Sequence, residues 1–259
     1  MSNTQVTLVQ IDNYGPWTTT PTPRREVDLQ HLQASLYTDI VRGFGAHDGY
    51  SFFTRFDNMV AVTNGADRSD HERLQQSINN RYPVSVSFGI GTANDPASAI
   101  TEASLALQDA GSAQDGTRLG VLRGTPLAAE DRREDDIQIA HFDVIDATSK
   151  YTDELDAFDS FLQIERGYLA LAEYLRRAHD SLAFFVGGDN IIAVCSGLKQ
   201  SAFKAAIDHV QSEAAIGLQV GVGVGATAGA AGIDAKHALE ACRSNGTDIE
   251  VSMAVARSD

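Results

Sequence analysis

Cysteine is scarce: Cys195 and Cys242 are the only two among 259 residues. Two thiols close at most one disulfide and cannot give zinc three thiolates. That excludes a disulfide-stapled domain and a cysteine-built zinc centre. Both are expected as small buried apolar residues. The seven histidines form no HxH or HxxxH pair, so no histidine metal site has local support. No run approaches the ~20 apolar residues that span a bilayer. The opening segment, MSNTQVTLVQIDNYG, lacks the basic region and long apolar stretch of a signal peptide, so a cytoplasmic protein is expected. Lysine is nearly absent, with four against sixteen arginines, and 35 acidic side chains bring the net charge to −15. Such a surface repels nucleic acid and anionic lipid, so neither is expected as a partner. It suits a salt-loaded interior, where charge is screened within a short distance.

What is present is an ordinary globular balance, 43% apolar and 21% charged, and a repeat. VTLVQIDNYG (6–15) and GYSFFTRFDNMVAVTNG (49–65) in the first half have counterparts in IQIAHFDVIDA (137–147) and DSLAFFVGGDNIIAVCSG (180–197). Asp12 and Asp57 stand 45 apart, and Asp143 and Asp189 stand 46 apart. VSVSFGIG (84–91) and LQVGVGVG (218–225) follow at matching distances. Four landmarks in the same order imply an internal duplication, with Asp143 matched to Asp12 and Asp189 to Asp57.

Each half reads as strand, helix, hairpin, helix, strand, helix. In the first half the helix over 25–44 spaces Val27, Leu29, Leu32, Leu36, Ile40 and Phe44 along one face. The hairpin turns on Asp57-Asn58. A helix over 71–82 ends at Pro83, and a last helix spans 95–111. The second half repeats this with a strand at 137–143, helices near 153–179, 199–215 and 229–244, and a hairpin at 182–195. The expected fold class is α+β: two tandem ferredoxin-like βαββαβ domains. Each is a four-stranded antiparallel sheet with helices on one face. The boundaries are 1–115 and 137–259, with 116–136 as linker or arm.

In such a unit the first strand and the hairpin are sheet neighbours. Asp12 and Asp57, remote in sequence, are therefore expected at one sheet edge, and so are Asp143, with Asp146 nearby, and Asp189. Unneutralised carboxylates repel, and a hard divalent cation removes that repulsion; Mg²⁺ takes one or two carboxylates plus phosphate and water oxygens. Asp-Asn is also good turn chemistry by itself, but the second aspartate in both halves favours metal. The loop NYGPWTTTPTPRRE (13–26) holds the single Trp, three Pro and the pair Arg24-Arg25. Backbone N–H groups near Gly15 suit phosphate, and Asn13, Tyr14, Trp17 and Asn58 flank it. Arg24 and Arg25 suit a phosphate fork, being the wrong sign for a helix start. The second-half counterpart keeps only Lys150, so the first half is expected to be the main phosphate site. Arg81, in NNRYP, reads equally as a binding residue and as part of a helix end. Phe56 is placed to stack on a base, although a hairpin Phe is more often core.

GGDN in a hairpin, with an aspartate ending the first strand, resembles the palm-type catalytic domain of nucleotidyl and diguanylate cyclases. Asn190 stands where diguanylate cyclases have Glu, which argues against cyclase chemistry. A closer resemblance covers nearly the whole chain. VQIDNYGPWT, PTPRRE, FFTRFDNMVAVTNG, NRYPVSVS, GSAQD, QIAHFD and FFVGGDN together are similar to archaeal GTP cyclohydrolase III, also called GTP cyclohydrolase IIa. The resemblance implies a hydrolase that converts GTP to 2-amino-5-formylamino-6-(5-phospho-D-ribosylamino)pyrimidin-4(3H)-one and two phosphates. It implies Mg²⁺, activation by a monovalent cation such as K⁺, no zinc, and a place in flavin and deazaflavin biosynthesis. It puts metal binding on Asp12 and Asp57, and on Asp143 and Asp189. Palm-type domains often work in pairs, so a homo-oligomer, dimer or tetramer, is expected. A cyclase releasing pyrophosphate and a non-catalytic nucleotide sensor are the competing readings.

Overall fold

The computed structural model describes residues 3–252. The chain divides into two compact units, one built mainly from residues 3–94 and 98–132 and the other from 133 onwards.

In the first unit, β1 (Thr4–Ile11) leads through a short helix, α1 (Tyr14–Thr19), into α2 (Glu26–Gly45). The hairpin β2 (Tyr50–Arg55) and β3 (Asn58–Val62) follows, then α3 (Arg68–Arg81), β4 (Val86–Ala93), α4 (Pro96–Gln108) and β5 (Leu122–Arg123). The sheet order is β2-β3-β1-β4-β5. The second unit has β6 (Ile137–Val144), a π-turn at Thr148–Thr152, α5 (Ala157–His179), the hairpin β7 (Leu182–Gly187) and β8 (Asn190–Cys195), and α6 (Gln200–Ala214). It ends with β9 (Leu218–Gly225), α7 (Ala228–Asn245) and β10 (Ile249–Val251), in the order β10-β9-β6-β8-β7. The duplicated βαββαβ core matches the expectation.

Three details differ. Each sheet has a fifth strand, running parallel to β4 or β9, too short to carry a sequence pattern of its own. Residues 116–132, expected as linker or arm, pack within the first unit and supply that strand. The helices do not all lie on one face. Leu36, Ile40 and Phe44 of α2 and Ile78 of α3 pack with Val9, Ile11 and Phe88 in one core. Gly89 and Gly91 alternate with Phe88 and Ile90 and so face the other way. A Cβ at either would collide with the backbone of α4, at Ala103 and Ala99 respectively, so α4 covers the opposite face. Gly221 and Gly223 of β9 meet α7 in the same way. Small residues therefore let one helix of each unit lie directly on the sheet.

Burying residues such as Leu36, Ile40 and Phe44 stabilises by about 1.5–3 kcal/mol each. Phe44→Ala would break this core at a cost of about 3–5 kcal/mol. Val27, placed by periodicity on the same stripe, is 59% exposed; the buried face of α2 begins at Leu32. The second core is formed likewise by Leu171 and Leu175 of α5, Phe203, Ile207 and Val210 of α6, and Phe142, Val220 and Val222 of the sheet. Both cysteines are buried as expected, and burial pushes the Cys195 thiol up to about 12.

Strand register corrects the pairing of aspartates between halves. Gln10 lies opposite Asn58 in the first sheet, and Asp143 lies opposite Asn190 in the second. Asp12 N–H donates to Ser85 O, and Ile145 N–H donates to Gly217 O. Asp12 therefore occupies the position of Ile145, and Asp143 that of Gln10. Asn13 and Asp146 are the matched pair, both left-handed, with φ of 50° and 58°. The two carboxylates differ by two residues along their strands, about 6–7 Å. A two-residue slip keeps the sheet face unchanged, so the sequence alignment could not expose it.

Candidate functional site

The first unit has a cavity of about 370 Å³ where β1 meets the β2–β3 hairpin; Gln10, Tyr14, Gly15, Asp57, Asn58 and Gln114 are among its lining residues. The hairpin positions Asp57: Ile11 N–H donates to its carbonyl at 3.0 Å, fixing the turn against β1. Burial pushes the Asp57 carboxyl up, but hydrogen bonds from Arg55 and Asn58 outweigh it and hold the group below the usual carboxylate value. Arg55 Nη2 lies 2.7 Å from Asp57 Oδ2 and is itself largely exposed. Tyr14 begins α1 behind the left-handed Asn13, and its hydroxyl accepts from Gln33 Nε2 at 2.7 Å. Gly15 packs under Gln114, and any side chain there would press on the Gln114 amide.

Trp17 stacks on Tyr14 with ring centroids 6.2 Å apart. The Arg24 guanidinium lies 3.8 Å over the Trp17 ring, and its Nε donates to Trp17 O. The odd loop therefore builds a column of Tyr14, Trp17 and Arg24. Arg25 precedes α2 and forms a two-point ion pair with Asp28, both largely exposed. Its charge at the helix start is balanced by the acid one turn on. Phe56 is 56% exposed, with its ring 4.6 Å from that of Phe53. Arg81 is held at the end of α3 by Asp39, 2.6 Å away, and does not line the cavity.

Asp12 is placed differently from its expected partner. Its side chain is fully buried and takes Ser87 Oγ–H at 2.6 Å, Ser85 Oγ–H at 2.8 Å and Gly120 N–H at 2.7 Å. Arg118 Nη2 lies 3.7 Å from Asp12 Oδ1 and donates to Gln10 Oε1 at 2.9 Å. Gln10 Nε2 donates in turn to Asn58 Oδ1 at 3.1 Å. Asp12 is thus linked to the hairpin through Arg118 and Gln10, but it does not line the Asp57 cavity. Direct juxtaposition of Asp12 and Asp57 is not what this structure shows. The alternation Ser85-Val86-Ser87 was the one sequence signal for a buried acid, since a polar face in an apolar strand needs a polar partner. Arg118 and Gly120 gave none; they lie in the stretch read as linker.

The second unit brings its acids together. A cavity of about 690 Å³ is lined by Asp143, Asp146, Asp189, Gln219 and Arg243, among others. Asp143 accepts from Gln219 Nε2 at 2.8 Å and from Arg243 Nη2 at 2.9 Å. Burial, and then the Asp143 charge, raise the Asp189 carboxyl above its usual value. Gly187 and Gly188 turn this hairpin at φ of 110° and 65°, which only glycine adopts freely. Gly187 stands where the first unit has Arg55, so Asp189 lacks the cation that Asp57 has beside it. Lys150 pairs with Asp146 at 3.3 Å. Among the described residues, no three His, Cys, Asp or Glu side chains come close enough to enclose a metal alone. Two carboxylates on one cavity fit an ion that completes its shell with phosphate and water, as Mg²⁺ does.

Fold and site together define a duplicated βαββαβ α+β protein with an aspartate-bearing cavity at the hairpin edge of each sheet. The family model described as GTP cyclohydrolase III matches residues 6–256, and the chain belongs to that family. It is 61% identical over 252 residues to GTP cyclohydrolase III 1 of Halobacterium salinarum, covering 97% of this chain and 99% of that one. It is 60% identical to GTP cyclohydrolase III of Natronomonas pharaonis, over 96% of this chain and 99% of that one. Identity to the Methanococcus maripaludis enzyme of the same name is 44%, over 95% and 91%. Among solved structures, a bacterial light-regulated adenylyl cyclase superposes with TM-score 0.40 at 11% identity, covering 99% of this chain and 87% of that one. The GGEEF domain of a diguanylate cyclase from Vibrio cholerae gives 0.36 at 11%, covering 49% and 85%.

Proposed function

We propose that this chain is a GTP cyclohydrolase III. It opens the imidazole ring of GTP at C8 by hydrolysis and releases two phosphates, leaving the formylamino pyrimidine phosphoribosyl product. The observation that carries the reading is the 61% identity to a GTP cyclohydrolase III along 97% of the chain. The first unit is proposed as the site of turnover. Its cavity gathers Tyr14, Gly15, Asp57 and Asn58, from the two strings QIDNYGPWT and TRFDN.

In this reading the backbone at Gly15, on the cavity wall beside Gln114, offers N–H groups to the triphosphate. Arg24, spread over Trp17, offers a planar fork already fixed in orientation. Arg55 is exposed and turns from Asp57 to phosphate at little cost, since a surface ion pair contributes about 0–1 kcal/mol. Asp57, ionised at neutral pH, would hold Mg²⁺ as the one carboxylate of this cavity, with phosphate and water oxygens completing the shell, and would accept a hydrogen bond from the attacking water. Mg²⁺, when bound, offsets the charge that builds on the phosphate oxygens. Asp12 joins Asp57 only if it gives up the donors from Ser85, Ser87 and Gly120. K⁺ as activator, a homo-oligomeric state and a cytoplasmic site belong to the same proposal; no described helix is long and apolar enough to cross a membrane. The test is incubation with GTP, Mg²⁺ and K⁺. Loss of the purine ultraviolet band with two phosphates per GTP is expected; pyrophosphate release with an intact purine band would make the chain a cyclase instead.

A further inference from the structure

A guanidinium and two amides form one line of donors that ends on Asp57. Arg118 Nη2 donates to Gln10 Oε1 at 2.9 Å, and Gln10 Nε2 donates to Asn58 Oδ1 at 3.1 Å. Asn58 gives its own side-chain N–H to the Asp57 carboxylate. The two ends of an amide have nearly the same shape, so its neighbours decide which way it points. Here the direction starts at Arg118, because a guanidinium donates and never accepts. Gln10 must turn its oxygen to Arg118 and its NH₂ to Asn58. Asn58 takes that donor on its oxygen, which leaves its NH₂ facing Asp57. Arg118 is itself fixed, with a side chain only 4% exposed and Nη2 lying 3.7 Å from Asp12 Oδ1. The second unit reaches the same end with a different residue. Asn190 Nδ2 donates to Asp189 Oδ1 at 2.9 Å, while His141 Nε2 lies 2.9 Å from Asn190 Oδ1. In both units a side chain of the first strand engages the oxygen of the hairpin asparagine and leaves its NH₂ to the hairpin aspartate.

We propose that Gln10 and Arg118 are positioning residues for GTP hydrolysis, orienting Asn58 so that it keeps donating to Asp57 during turnover. The inference rests on the hydrolase reading above, with Asp57 of the first unit at work. In that reading Arg55 leaves Asp57 for phosphate, and Asn58 is the side-chain donor that stays. An Asn58 turned the other way would set its oxygen against the carboxylate and drive Asp57 back to Arg55. Gln10 lines the Asp57 cavity but acts here through Asn58, and Arg118 acts through Gln10.

The test ranks two substitutions of equal length in the full chain. Gln10→Glu keeps the acceptor for Arg118 but has no N–H, so Asn58 must turn its NH₂ to the new carboxylate. Gln10→Met leaves Asn58 free to point either way. At saturating GTP and Mg²⁺, Gln10→Glu is expected to lower kcat about tenfold or more, and Gln10→Met only about threefold. Arg118→Lys, which still can only donate, is expected to lose less than Gln10→Glu. A residue that merely anchors Arg118 gives the opposite ranking, so a Gln10→Glu enzyme as fast as Gln10→Met, or faster, overturns the proposal. A rise in KM for GTP with kcat unchanged overturns it too, by making Gln10 a binding contact. The second readout needs no turnover: the Asn58 side-chain amide resonance, assigned by its loss in Asn58→Asp. Asp57→Asn is expected to shift it strongly in the wild-type background and much less in the Gln10→Glu background. An equal shift in both backgrounds overturns the proposal, even where Arg118→Lys does not fold. Failure of the wild-type chain to consume GTP would sink the hydrolase reading instead, leaving the amide resonance to judge the orientation of Asn58.

Discussion

The two units share strand order and hairpin position, yet they treat their aspartates in opposite ways. The first buries Asp12 under three hydrogen-bond donors beside Arg118, and gives Asp57 an arginine. The second leaves Asp143 and Asp189 on one open cavity and turns its hairpin with two glycines. The first keeps the Tyr14–Trp17–Arg24 column; the second keeps only Lys150 at the matching turn. Duplication therefore preserved the scaffold, while local substitutions decided whether a carboxylate faces a cavity or braces the sheet.

The largest effect that can break this comparison is on turnover. Asp57→Asn is expected to lower GTP hydrolysis about a hundredfold or more, with an unchanged melt, because the proposed Mg²⁺ would lose its one carboxylate ligand in this cavity. Asp189→Asn is expected to change the rate only a few-fold. Steady-state rates settle it, and the reverse order would move catalysis to the second unit.

Next comes stability. Asp12→Ala leaves Arg118 buried and unbalanced, and is expected to cost about 3–5 kcal/mol in urea denaturation. Asp143→Ala is expected to cost less, about 1–3 kcal/mol, since Arg243 is half exposed and returns to water. Gly91→Ala and Gly223→Ala probe what the units share. Each pushes a methyl into helix backbone that cannot move aside, and each is expected to cost about 1–3 kcal/mol. A clear inequality would show that α4 and α7 do not bear on their sheets alike.

A pH effect is smaller. His71 is buried between Thr7 Oγ1 and Asp67 O, and burial holds its imidazole below the usual value. The folded state favours the neutral ring, whereas the unfolded chain takes up a proton near ~6.5. Stability is therefore complete above that pH and falls as the pH drops towards the lower folded value. His71→Gln is expected to flatten this acid loss in denaturation curves. His141 is shifted the same way by burial but is only half buried, so His141→Gln should flatten it less.

The smallest effect concerns charge. Residues 133–259 carry twenty acids against ten bases, while 1–132 carry fifteen against ten. Added KCl screens self-repulsion. It is expected to raise the melt followed by far-UV dichroism more than the melt followed by fluorescence of Trp17, which reports on the first unit.

The hairpins, α2, α3 and the duplication were legible because each has a local period or turn. The Pro-, Thr- and Arg-rich loop over 13–26 was legible as an oddity of composition, and the structure turned it into an aromatic–arginine column. The fates of Asp12 and Asp143 were not legible. Their matched look in sequence hides a two-residue slip along the strand, and such a slip leaves alternation intact. Arg118 and Gly120 were misplaced because a Gly- and charge-rich stretch reads as linker whether it hangs free or folds back on a strand.

The sequence by itself determined the repeat, the alternation of helix and strand, the acidity and the family, all of which follow from local pattern and composition. Only the tertiary structure decided which carboxylates share a cavity, which are sealed by serine and arginine, and which face of each sheet α4 and α7 cover. Those outcomes depend on register and on contacts between segments tens of residues apart. No local pattern encodes them, because they are set by which donors the folded backbone brings within hydrogen-bonding distance.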